Sequence, residues 1–130
     1  MSDILMQLSG IASGYTPRRG HEGWFEVDSF SFASPRSSDS TGRGYSAEPA
    51  PREFNLSRRQ DAASAVIFRM ATEGTQFREV VLELFRNDSL LVRYTFGGVL
   101  VSSYSVTGSE GGTPLEWITF AASTTKIEVP

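Results

Sequence analysis

VLVSSYSVTGSEGGTPLEWITFAASTTKIEV, residues Val99–Val129, is the stretch on which the fold turns. β-Branched and aromatic residues fill two runs, Val99–Val106 and Leu115–Val129, and the segment between them, Thr107–Pro114, is TGSEGGTP. Two strands joined through a Gly/Ser-rich loop satisfy this pattern, and the chain is read as mainly β. The loop lacks the Lys-Ser/Thr pair and the following helix that a phosphate-binding loop needs, so it is a hairpin connection and not a nucleotide site.

Upstream, Gly97-Gly98 is expected to break the preceding strand with a kink or bulge. Phe77–Arg86 and Leu90–Phe96 form a hairpin turning at Asn87-Asp88. Val80, Leu82 and Leu84 share one face of the first strand, and Leu90, Val92, Tyr94 and Phe96 one face of the second. Glu79 and Glu83 alternate with Val81 and Phe85, which predicts a solvated face for both carboxylates. Arg78, Arg86 and Arg93 scattered along the pair suit a second face that is partly covered.

Before these strands, Phe54 and Leu56 alternate as a short strand. Ser57 followed by Gln60 forms a capping-box pattern with Asp61 in the next turn, so a helix is predicted to start there. Ala62, Ala63, Val66, Ile67 and Met70 recur at helical spacing up to Gly74, which supplies the stop, giving one helix of about four turns. Its other face is not basic, so the apolar stripe is assigned to the core and not to a membrane.

Ser34–Arg52, SPRSSDSTGRGYSAEPAPR, is a long loop almost devoid of large apolar groups apart from Tyr45. Connections this long are either functional or without fixed structure, and composition leaves both readings open. Ahead of it, Ile4–Leu8 reads as a first strand and Ser9–Gly23 as a loop. In Trp24–Ala33, Phe25 and Val27 lie on one face and Phe30 and Phe32 on the other. A bulge or sharp bend at Asp28-Ser29 is needed to return both sets to the core.

At 130 residues the chain is read as a single domain, 1–130. Its 12 basic and 15 acidic side chains give a net charge of −3, which disfavours nucleic acid and anionic membranes as partners. No cysteine is present, so disulfide, thiolate and zinc-ribbon chemistry are excluded. Lys126 is the only lysine among those 12 basic residues, a skew towards the planar guanidinium that favours contact surfaces. The opening MSDILMQLSG has neither the charged lead nor the apolar run of a signal peptide, and no stretch approaches a membrane span of about 18 apolar residues. Synthesis in the cytoplasm is expected, with no membrane insertion.

His21 is the sole candidate base for a nucleophile relay, and in its loop between Gly20 and Glu22 it reads as a hydrogen-bonded turn histidine. Glu79 with Glu83, and Glu22 with Glu26, do not form a proton-sharing pair. His, Asp and Glu do not cluster at metal-ligand spacing, and Arg18-Arg19 and Arg58-Arg59 are isolated basic pairs. No catalytic residue, metal or cofactor is assigned. A ligand-binding barrel would instead be marked by a pocket of Trp24, Phe30, Phe32 or Trp117 and by a monomer in solution.

Taken in order, Asp3-Ile4 leading to Gly10-Ile11, HEGWFEVDSFSF (His21–Phe32), FNLSRRQDAAS (Phe54–Ser64) and the Val99–Val129 stretch together resemble the haemolysin-coregulated protein family, the tube protein of type VI secretion systems. The end is the most specific part, with its Ser-Ser-Tyr-Ser strand, Gly/Ser loop, Pro-x-Glu and closing Lys-Ile-Glu. The likeness spans nearly the whole chain. Ser64-Ala65 departs from the Pro that often follows the Ser at the family's helix entry, and the second strand is unusually Phe-rich.

The resemblance implies a small two-sheet β-barrel with one flanking α-helix and a long extended loop. It implies a structural, non-enzymatic subunit that forms homohexameric rings, stacked into a tube that is propelled from the cell. Implied partners are further copies of the chain, sheath, baseplate and spike proteins, and effector cargo in the lumen. Export would then proceed without a cleavable signal peptide. The Ser34–Arg52 arm would reach an adjacent ring or subunit, and its candidate contact residues are Pro35, Arg36, Asp39, Arg43, Tyr45 and Glu48. The tail tube of a related contractile or phage-like particle is the neighbouring reading.

Overall fold

Alternation along the strands separates a buried apolar face from a polar one, and the structure, a computed structural model describing residues 3–11, 19–32 and 52–130, shows how the two faces are wrapped. Among the described residues there are seven strands: β1 (Ile4–Leu8), β2 (Phe25–Val27), β3 (Ser29–Phe32), β4 (Arg52–Arg59), β5 (Gln76–Arg86), β6 (Ser89–Thr107) and β7 (Leu115–Glu128). One helix, α1 (Ser64–Glu73), lies between β4 and β5. The strands form one antiparallel sheet in the order β2-β1-β5-β6-β7-β4-β3.

The sheet curls into a nearly closed barrel because its two end strands, β2 and β3, are consecutive in the chain. Only Asp28 separates them, and its N–H donates to the Ser57 carbonyl of β4 at 2.8 Å. The predicted bend is therefore the seam of the barrel. It turns Phe25 and Val27, both fully buried, and Phe30 and Phe32, half-buried, to the same interior.

A second corner crosses β5, β6 and β7 together. Phe96 pairs with Val80 and Thr125, and Val99 pairs with Phe77 and Ala122, so on all three strands the inward position jumps by three residues instead of two. Gly97 and Gly98 lie at the centre of this jump, and Gly98 takes φ +60°. β6 bends there without breaking, contrary to the break expected from the two glycines, because the ladders to β5 and β7 resume on either side. The two sheets of the expectation are thus the two halves of one sheet. One half is β2, β1, β5 and the near parts of β6 and β7; the other is the far parts of β6 and β7 with β4 and β3.

Aromatic rings join the halves. Phe54 stacks on Phe96 at 3.8 Å between centroids and on Phe120 at 4.9 Å, while Phe30 and Phe32 reach Tyr94 at 5.3 and 5.8 Å. Each such pair adds about 0.5–1.5 kcal/mol beyond its buried area. The Asn87-Asp88 hairpin is as predicted, with φ 52° and 66° giving the left-handed pair that a two-residue turn requires.

The helix departs from expectation at its start. Ser57 is no cap: it is buried in β4, opposite Ser29 and Trp117, and the ladder continues through Arg59. Cross-strand pairing overrode a local capping pattern. α1 begins seven residues later and has about three turns. Ala63 is its N-cap, the Asp61 side chain accepts the Ala63 N–H at 2.9 Å, and Gly74 at φ 70° ends the helix as expected. Ala63 and Ile67 are buried, Val66 and Met70 half-buried, and Ala62 is exposed.

Candidate assembly surface

The outer face of the β3-β4-β7-β6 half is carpeted with short polar side chains. Register places Ser31, Asn55, Thr119 and Ser103 in one row and Ser29, Ser57, Trp117 and Ser105 in the next. Within the rows, Thr119 Oγ1 donates to Asn55 Oδ1 at 2.6 Å and the Ser29 and Ser57 hydroxyls lie 2.6 Å apart. Trp117, 45% exposed, and Leu100, 42% exposed, stand out from this face. Both margins of the half-sheet are open among the described residues. β3 pairs only with β4, and β6 beyond Leu100 pairs only with β7.

Next to the β6 margin, Phe68 of α1 lies edge-on to Tyr104 at 5.6 Å, over a groove of about 200 Å³ that also includes Ala71, Thr72 and Val101. Phe68 is 53% exposed.

Among the described residues two carboxylates are buried, and each ties several elements together. Glu116 of β7 is fully buried and accepts from Arg58 Nη1 of β4, from the Ser64 hydroxyl of α1 at 2.9 Å, and from the Tyr104 hydroxyl of β6. Arg58, 2% exposed, also donates Nη2 to Asp61 at 2.8 Å and sits over the Phe25 ring. Burial, followed by the hydrogen bond to Glu116, pushes the Tyr104 phenol up to about 12.

The second buried carboxylate is Glu83 of β5, 5% exposed. Its Oε1 lies 2.7 Å from His21 Nε2, and its Oε2 accepts from Arg93 Nε at 2.6 Å. That hydrogen bond and the adjacent charge raise the Arg93 guanidinium above its ordinary value. His21 in turn lies edge-on to Trp24 at 4.6 Å and to Phe85 at 5.6 Å.

His21 is thus the hydrogen-bonded turn residue that the sequence indicated, whereas Glu83 is not on a solvated face; Glu79 alone is exposed. The loop carrying His21 and Trp24 covers Glu83 from outside, the partial cover that the scattered arginines had hinted at. Glu116 could have been found by parity, since it alternates inward with Ile118, Phe120 and Ala122. The six candidate contact residues Pro35, Arg36, Asp39, Arg43, Tyr45 and Glu48 lie outside the described residues.

Among the described residues Trp24, Phe30, Phe32 and Trp117 are not brought together. Trp24 packs on His21, Phe30 and Phe32 belong to the interior aromatic group, and Trp117 is on the outer face. A cleft of about 550 Å³ has a mostly charged lining that includes Asp3, Glu26, Asp28, Asp61, Arg58 and Arg59. Among the described residues no group of three or more His, Asp or Glu is placed to hold a metal ion, and no helix is long and apolar enough to cross a membrane.

The family model described as type VI secretion system effector, Hcp, matches residues 5–129. The chain belongs to the Hcp family. Solved Hcp structures share the fold over nearly all of this chain. A type six secretion system protein superposes at a TM-score of 0.82 with 23% identity, covering 99% of this chain and 84% of that chain. Hcp2 from Salmonella typhimurium gives 0.76 with 22% identity, covering 98% and 86%. The tube-terminating cap of the anti-feeding prophage gives 0.63 with 14% identity, covering 98% and 89%. No curated protein matches the sequence. The Hcp barrel is therefore kept in this chain with the two buried carboxylate centres and the open-margined half-sheet described above.

Proposed function

We propose that the chain is the tube subunit of a type VI secretion system, assembling as hexameric rings that stack into a hollow conduit and are propelled outward. The observation that carries this reading is the β3-β4-β7-β6 half-sheet, open at both margins among the described residues. Unpaired backbone donors and acceptors along a strand margin recruit another strand, and two different margins on one molecule make a head-to-tail contact. Such a contact closes into a ring when the rotation permits and grows a filament when stacking repeats it.

The face of Ser, Thr and Asn side chains, interrupted by Trp117 and Leu100, suits a wall facing a water-filled lumen, where folded cargo must pass. Arginines supply bidentate contacts between copies. The Ser34–Arg52 arm, with Pro35, Arg36, Asp39, Arg43, Tyr45 and Glu48, is assigned to contacts between rings or subunits. Sheath, baseplate and spike proteins are the expected neighbours, and small effector proteins the expected lumen cargo. The work is mechanical, with no bond made or broken.

Native mass spectrometry of the purified protein, with negative-stain microscopy of the same sample, tests the reading. Hexamers visible as rings, alone or stacked, are expected; a strict monomer at high concentration, unaltered by addition of the cognate spike, overturns it. Likeness to the prophage cap favours a second reading of the same assembly, a tube from a related contractile particle. Intact-mass detection of the unprocessed chain in culture medium, dependent on a type VI sheath, separates the two.

A further inference from the structure

The two sequence segments that carry the family pattern at the helix entry and at Pro-x-Glu meet at a single buried pair, Arg58 with Glu116. We propose that this pair is a positioning device that sets where α1 docks against β6, and not a source of net stability.

Burying two charges costs several kcal/mol for each, and apolar residues of similar volume in the same place are commonly neutral or stabilising. Stability therefore does not account for the pair, whereas its connections do. Glu116 lies on β7, Arg58 on β4, Tyr104 on β6, and Ser64 is the first residue of α1; one carboxylate gathers donors from all three of the others. The same Ser64 hydroxyl accepts the Asp61 N–H at 3.0 Å, and Asp61 is held by Arg58 at 2.8 Å while its other oxygen takes the Ala63 N–H.

The helix has little else to fix it. Its first turn carries no acidic residue, its N-cap Ala63 has no side chain able to cap, and Ala63 and Ile67 are its only buried apolar side chains. Apolar contact is non-directional and tolerates sliding or rotation of a short helix. Directional hydrogen bonds to a fixed carboxylate remove both freedoms.

The position so fixed matters at the β6 margin. Tyr104 donates into the centre and also takes Phe68 edge-on, so the exposed helix residue beside the open strand is placed through the same carboxylate. The Gln60 N–H donates to the Pro114 carbonyl at 3.0 Å, tying the β6–β7 loop to the same helix entry. The effect on ring formation rests on the function proposed above; the effect on the helix does not.

The test uses the full chain with two variants, Ser64→Ala, which removes the helix's hydrogen bond to Glu116 together with the one its hydroxyl accepts from the Asp61 N–H, and the double substitution Arg58→Met with Glu116→Leu. Hydrogen exchange by mass spectrometry reads α1, thermal unfolding reads stability, and native mass spectrometry reads rings. In Ser64→Ala, exchange over Ser64–Glu73 is expected to rise about tenfold while the β-strands keep wild-type protection. The double variant is expected to melt at or above the wild-type temperature with the same selective rise. Rings are expected to form less completely in both. Wild-type exchange in α1 of Ser64→Ala overturns the proposal, and so does a double variant that melts well below wild type or does not fold. If the wild type itself stays a strict monomer at high concentration even with the cognate spike, the tube reading fails while the exchange comparison still decides the positioning role.

Discussion

Replacing Gly98 by alanine is expected to destabilise the barrel by about 1–2 kcal/mol, and the reason differs from that at its neighbour Gly97. At φ +60° a Cβ is strained by the backbone itself, at about 1–2 kcal/mol for an L-residue in the left-handed region. The new Cβ would also stand 2.9 Å from Ser123 Oγ and 3.2 Å from Ser123 Cβ. Turning that hydroxyl away gives up its hydrogen bond to the Gly98 carbonyl, a weak one at 3.3 Å worth about 0.5 kcal/mol. Loss of glycine freedom in the unfolded chain returns about 0.4–1 kcal/mol. Gly97, by contrast, has no positive φ, but its added Cβ would meet Thr124 Oγ1 at 2.5 Å, with Thr124 Cβ at a comfortable 3.9 Å. Urea unfolding followed by circular dichroism measures both. Gly97→Ala is expected to be rescued by Thr124→Ala, whereas Gly98→Ala is not rescued by Ser123→Ala, with the m-value unchanged throughout. A Gly98→Ala midpoint equal to that of wild type, or full rescue by Ser123→Ala, would refute the claim that the corner depends on a left-handed residue.

On the helix, Ile67→Asp is expected to unfold the domain, since an unpaired buried charge costs several kcal/mol, while Val66→Asp, half-buried, is expected to leave a weakened fold visible by circular dichroism. Equal effects would show the buried face to be misassigned. Tyr104, at about 12 when folded against about 10 when unfolded, contributes stability that is intact below about pH 10 and lost as pH rises through about 12. The ultraviolet difference titration of wild type against Tyr104→Phe is expected to show that late step in buffer and an ordinary one in denaturant; an ordinary step in buffer contradicts it. Deleting Ser37–Ala47 is expected to leave the circular dichroism spectrum intact and to reduce ring stacking in micrographs, and an unfolded product counts against the contact-arm assignment.

Much of the architecture was legible because its signals are local. Strand alternation, the Asn87-Asp88 turn, the phase slip at Asp28-Ser29 and the Gly74 stop each depend on residues adjacent in sequence. The helix start was not legible, because the decision between cap and strand at Ser57 was made by Trp117 and Ser29, which are remote in sequence. Glu83 was misread for the same reason: strand parity puts it outward, and only the fold brings the His21 loop over it. At the Arg58–Glu116 centre the inward parity of Glu116 was readable, but its pairing with Arg58 across 58 positions was not.

The seam at Asp28 also governs when the molecule comes into being. β1 must wait for β5, and β4 must wait for Leu115–Ala122 of β7, before the ribbon of β2 and β3 can bridge the two halves. Pairings so distant in sequence make for slow, late-closing folding. The β3-β4-β7-β6 half-sheet is therefore incomplete until Leu115–Ala122 has been synthesised. Until β7 has emerged that half-sheet does not exist, and the assembly proposed above would be deferred by topology alone.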